Sequence, residues 1–72
     1  MELETLQKII AKILNVDPSE VTEETTFAED LGADSLDFYQ ILVEIEKTQG
    51  ITIDKKNMEQ LVTVQDVLNI NM

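Results

Sequence analysis

Aliphatic residues recur along the N-terminal stretch at intervals of three and four. At 100° per residue, Leu3, Leu6, Ile9, Ile10, Ile13 and Leu14 fall on one side of a helix, and Lys8 and Lys12 fall outside that arc. The pattern predicts an amphipathic helix over about Leu3 to Leu14, stopped by Asn15 and by Asp17-Pro18. Regular spacing then lapses from about Val16 to Ala33. Within this long connection Asp17-Pro18-Ser19-Glu20 suits a short helical turn, and Val21 and Phe27 are the expected anchors to the core. A loop of this length in a small domain is functional or is pinned by its own apolar residues.

Periodicity resumes at Ser35 and continues to about Thr48, where Gly50 closes the helix. Asp34 is a favourable N-cap, and Asp37 three residues later makes a capping-box-like pair with it. On this second helix Phe38, Ile41, Leu42 and Ile45 form one arc, which should face the core. Leu36, Tyr39 and Val43 form a second arc. Glu46 borders it on one side; Gln40 and Lys47 border it on the other, with Glu44 and Asp37 beyond. Ile51-Thr52-Ile53 is too short to make a sheet. A short helix is expected around Asn57 to Leu61, and Thr63-Val64-Gln65-Asp66 resembles another cap, opening a last helix with Val64, Val67 and Leu68 turned inward. The expected fold is all-α: one domain over residues 1–72, a small bundle of three main helices and one short one, with the long loop between the first two.

Composition narrows the function. Hydrophobic residues make up 43% of the chain, ordinary for a folded domain, but Phe27, Phe38 and Tyr39 are the only aromatics, so aliphatic side chains must fill the core. Fifteen acidic residues face five lysines, for a net charge of −10. Ten of those acids lie between Ile13 and Glu46, a stretch with no base. Such a surface repels nucleic acid and anionic membranes and attracts basic proteins and, loosely, divalent cations. Cysteine and histidine are absent, which removes the thiolate nucleophile, the usual general base and the usual zinc ligands. The N-terminus is acidic and amphipathic, unlike a targeting peptide, and no apolar run approaches membrane-spanning length. A cytoplasmic monomer that inserts into no membrane is the expectation.

The stretch with chemical content is Asp30-Leu31-Gly32-Ala33-Asp34-Ser35-Leu36-Asp37. Gly32 permits a sharp turn into the helix, and capping by Asp34 sets Ser35 at the first helical position. Its hydroxyl then stands at the positive end of the helix dipole, a favourable place for a phosphate. Surrounding carboxylates oppose a free anion there, so a covalently attached phosphate suits the site better. Asp-Ser at a helix start is, by itself, most often only a cap.

The longer string Phe27-Ala28-Glu29-Asp30-Leu31-Gly32-Ala33-Asp34-Ser35-Leu36-Asp37 closely resembles the attachment motif of the acyl carrier protein family, and the likeness extends over nearly the whole chain. It takes in the first helix, the Val-Asp-Pro-Ser-Glu-Val turn, Gly50-Ile51-Thr52-Ile53 and Thr63-Val64-Gln65-Asp66. The resemblance implies a non-enzymatic carrier for fatty-acid or related biosynthesis, polyketide-type included. It implies that Ser35 bears 4′-phosphopantetheine, whose thiol holds acyl groups as thioesters, and that a phosphopantetheinyl transferase recognises Asp34. It also implies that acyl-transfer, condensing and acyl-processing enzymes with basic surfaces dock on the second helix, at Leu36, Asp37, Tyr39, Gln40, Val43, Glu46 and Lys47. The sequence departs from the family's usual pattern at Gln40 and Lys47, where acids are common, at Gln49, where an aromatic is common, and at Phe38, where a small residue is often found. These departures point to a specialised carrier rather than the housekeeping one.

Other readings fit less well. An EF-hand is disfavoured because Gly32 falls where a ligand should be and the terminal Glu is missing, so no specific metal site is expected. An aminoacyl or peptidyl carrier would share the arm, but such domains often have a second glycine where Ala33 stands and are usually less acidic. A non-carrier acidic helical interaction module would account for the charge and the apolar strip without using Ser35. An enzyme is least consistent, since no nucleophile–base pair can be assembled from these residue types.

Overall fold

A computed structural model describes residues 1–70 of the chain, and the side chains of all of them except Asn57. Helix α1 spans Leu3–Leu14, α2 spans Ser35–Gln49 and α3 spans Val64–Leu68. A 3-10 turn at Pro18–Glu20 interrupts the long α1–α2 connection, and a 3-10 helix at Lys55–Gln60 lies between α2 and α3. Among the described residues the only β pairing is a single antiparallel bridge between Thr26 and Thr63.

Each α-helix ends for a local reason. Asn15 adopts the left-handed conformation after α1 (φ 59°), and Gly50 does so after α2 (φ 67°), its N–H donating to the Glu46 carbonyl. At the start of α2 the Asp34 carboxylate accepts the Asp37 N–H at 2.8 Å, the forward half of the expected pair. The reciprocal capping box forms instead on α3. There Thr63 Oγ1 accepts the Asp66 N–H, and the Asp66 carboxylate accepts the N–H groups of Thr63 and, one residue further back, Val62. Those amide donors hold the Asp66 carboxyl below its ordinary range, and the Ser19 amide and hydroxyl do the same for Asp17 at the 3-10 turn. The 3-10 helix begins earlier than the short helix expected near Asn57, because Asp54 caps it by accepting from the Lys56 N–H.

The core is aliphatic with two aromatic rings. Leu6, Ile10, Val21, Ile41, Leu42, Ile45, Val64 and Val67 are fully buried, and Phe27 and Phe38 nearly so. Thus Val21 and Phe27 anchor the long loop, and the core arc of α2 is the one its spacing indicated. Leu68 packs on the margin of the core. The loop is fastened at both ends. Gln7 Nε2 donates to the Val21 carbonyl at 2.6 Å. Thr25, buried, accepts the Thr22 N–H on its hydroxyl. On the other side Phe27 N–H bonds the Val62 carbonyl, and the N–H groups of Val64 and Gln65 bond the carbonyls of Thr25 and Glu23. The loop therefore acts as a third wall of the bundle, closing the gap between α1 and α3.

Candidate functional site

The segment before α2 is wound into a fixed turn. Thr26 N–H donates to the Asp30 carboxylate at 2.9 Å while Asp30 N–H reaches Thr26 Oγ1 at 3.0 Å, and Ala33 N–H closes onto the Phe27 carbonyl at 2.9 Å. Gly32 takes a positive φ of 66°, where a side chain would be strained although nothing stands in its way. Asp30 and Asp34, the acids nearest to a calcium-loop pattern, are therefore engaged with backbone amides. Among the described residues no three His, Cys, Asp or Glu side chains are grouped to hold a metal ion.

This turn delivers Ser35 to the first position of α2 with an exposed side chain. Beside it lies an open, mainly apolar hollow of about 220 Å³ whose walls include Phe27, Ala33, Phe38, Met58 and Leu61. A second hollow of about 300 Å³ adjoins it, lined by Ser35, Phe38, Lys55, Lys56, Met58 and Glu59. A group carried on Ser35 Oγ would thus start at a helix N-terminus, with two of the five lysines at the rim of one hollow.

The proposed docking residues divide in a way that spacing did not reveal. Leu36 and Tyr39 are among the most exposed large hydrophobics, and Asp37 stands beside them on the first turn. Tyr39, Gln40, Val43 and Lys47, together with Glu44 and Ile13 of α1, line a further shallow hollow of about 290 Å³. Lys12 reaches Glu44 across the same seam at 3.8 Å. Glu46 is also tied into the fold. Its carboxylate accepts the Ile53 N–H at 2.6 Å and Lys55 Nζ at 2.7 Å, with the side chain only 19% exposed. Chiefly the Ile53 amide, and then Lys55, hold the Glu46 carboxyl below its ordinary value. Lys55 also donates to the Ile53 carbonyl and lies 5.9 Å over the Tyr39 ring. Glu46 is thus a clamp that fixes the α2–3-10 connection, and through Lys55 it supports Tyr39. Nothing in the helical spacing signals this, because the partners lie beyond Gly50.

A small all-α bundle that presents an exposed serine hydroxyl at the start of its longest helix has the form of a carrier domain. The sequence pattern of the family described as "Phosphopantetheine attachment site" matches residues 4–70. The chain is 46% identical over 67 residues to an acyl carrier protein of Thermosynechococcus vestitus, covering 93% of this chain and 83% of that one. It is 45% identical over 64 residues to an acyl carrier protein of Phaeodactylum tricornutum, covering 89% and 84% respectively. A solved structure of a candidate acyl carrier protein from Mycobacterium tuberculosis superposes with a TM-score of 0.85 at 31% identity, covering 93% of this chain and 89% of that one. The chain belongs to the acyl carrier protein family; it is a carrier and not an enzyme. No helix among the described residues is long and apolar enough to cross a membrane.

Proposed function

We propose that Ser35 is the residue that carries the phosphopantetheine arm, that Asp34 presents it to a transferase, and that Leu36, Asp37, Tyr39, Gln40, Val43, Glu46 and Lys47 form the surface on which partner enzymes dock. The observation that carries this reading is the placement of Ser35: an exposed hydroxyl at the first position of a fifteen-residue helix, held there by the Asp34 cap. Ser35 Oγ loses its proton and joins the phosphate of the arm, and the remainder of coenzyme A leaves. The absence of histidine and cysteine from the chain fits a base supplied by the transferase. When attached, the arm supplies a thiol that holds an acyl group as a thioester. The chain itself then positions and presents, and the chemistry is done by the enzymes it visits.

The charge distribution supports transient docking on α2. A small apolar strip with a charged rim gives fast, steered association and modest residence, as a carrier moving between enzymes needs. Gln40 and Lys47 reduce the acidity of one side of that strip, which favours partners other than those of a uniformly acidic carrier. Acyl-transfer, condensing and acyl-processing enzymes of fatty-acid or polyketide-type biosynthesis are the partners proposed.

Incubation with coenzyme A and a phosphopantetheinyl transferase, followed by intact mass, tests the assignment. The wild-type chain gains the mass of one arm and Ser35→Ala gains none, while the melting temperature of the variant stays close to wild type. An exposed substitution of this kind changes stability by less than about 0.5 kcal/mol. Modification of Ser35→Ala would move the attachment site elsewhere.

A further inference from the structure

We infer that Phe38 sets the length of acyl chain this carrier can shelter, acting as the closed end of the hollow beside Ser35. The inference rests on the carrier reading of Ser35 and adds a residue that selects cargo.

The wall residues differ in how far they can yield. Met58 faces the hollow from the 3-10 helix, and an unbranched thioether side chain repacks readily around a guest. Phe38 cannot yield in the same way. Its side chain is 7% exposed, and its ring lies 4.7 Å from that of Phe27, centroid to centroid, at a tilt of 43°. Phe27 is itself fixed, since its N–H bonds the Val62 carbonyl and its carbonyl accepts the Ala33 N–H. The two tilted rings form the aromatic part of the hollow's wall, and α2 runs on from Phe38 to the fully buried Ile41 and Leu42. Phe38 also lines both hollows that touch Ser35, so a chain folded back from the arm meets this ring whichever hollow it takes. A smaller residue here would leave free the space beside the hollows that the ring now fills. The ring limits cargo to chains short enough to lie in the mouth.

The test uses the whole chain loaded from acyl-coenzyme A donors of increasing length by a transferase, with loading verified by mass. Failure to load would count against the carrier reading itself and is seen before any further step. Hydroxylamine then cleaves the thioester, and the rate is followed against chain length. Each methylene taken out of water should slow cleavage about fourfold. In the wild type the rate falls with length and then levels off where the tail meets the ring. In Phe38→Ala it goes on falling to longer chains before it levels. Phe38→Leu, which keeps most of the core volume, levels in between, and it decides the matter if the alanine variant does not fold. The inference is overturned if wild type and Phe38→Leu level at the same chain length, or if the rate does not depend on length in either.

Discussion

Asp34 caps α2 and is proposed to present Ser35 to a transferase, and a pair of substitutions separates the two roles. Its carboxylate accepts the Asp37 N–H at 2.8 Å and so closes the first turn of α2. Its charge also sits at the positive end of that helix and next to the Ser35 hydroxyl, the proposed attachment point. In Asp34→Ala both the cap and the charge are lost. Loss of a side-chain cap costs about 1 kcal/mol, and loss of an acid at the helix start about 0.3–1 kcal/mol more. For a chain of this size each kcal/mol lowers the melting temperature by roughly 4–8 °C, so Asp34→Ala should melt about 5–15 °C below wild type. Asp34→Asn keeps an equally good cap and loses only the charge, so its melting temperature should fall by only a few degrees. Arm loading from coenzyme A, measured as initial rate by intact mass well below both melting temperatures, then separates the tasks. If the transferase reads the carboxylate, Asp34→Asn is stable yet loads as slowly as Asp34→Ala. If Asp34 acts only by ordering the helix start, Asn restores loading along with stability, and the recognition role is refuted. An Asp34→Ala variant that melts with wild type would refute the energetic argument instead.

The proposed docking strip and the Glu46 clamp each make a prediction. Tyr39→Ala should speed dissociation from the transferase or an acyl enzyme, weakening binding by about 1–2 kcal/mol, while Tyr39→Phe retains most of the affinity; Lys47→Glu should alter chiefly the association rate and its salt dependence. Surface binding kinetics at two salt concentrations measure both, and no change in either would remove this face of α2 from the docking surface. Because the folded chain holds the Glu46 carboxyl below its unfolded value, its ionised form contributes stability at neutral pH that is lost as the pH falls through and below the ordinary carboxylate range, about 4. Glu46→Gln should therefore melt below wild type at pH 7, with the gap closing as the pH falls below about 4. Thermal melts across that range check it, and a gap that stays constant down to pH 3 would contradict the linkage.

Local rules account for what the sequence alone determined. The spans of α1 and α2 follow from the spacing of Leu3 to Leu14 and of Phe38 to Ile45, and from stops at Asn15 and Gly50 that act within a turn of the helix. The place of Ser35 is likewise local, since Gly32 and Asp34 are near neighbours whose conformational and capping preferences need no distant partner. Charge could be counted directly, and so could the absence of histidine and cysteine. Tertiary structure decided the rest, because the partners are far apart in the chain and no periodicity pairs them. The loop became a wall only when Thr25 and Phe27 met Val62 and Val64. Glu46, indistinguishable by spacing from a rim acid, became a clamp once the turn at Gly50 brought Ile53 and Lys55 back to it. The hollow beside Ser35 lies between the start of α2 and the 3-10 helix, with Met58 on one side and the touching rings of Phe27 and Phe38 in its wall. A helix face can be read from one segment, but a cavity is a property of what several segments leave unfilled.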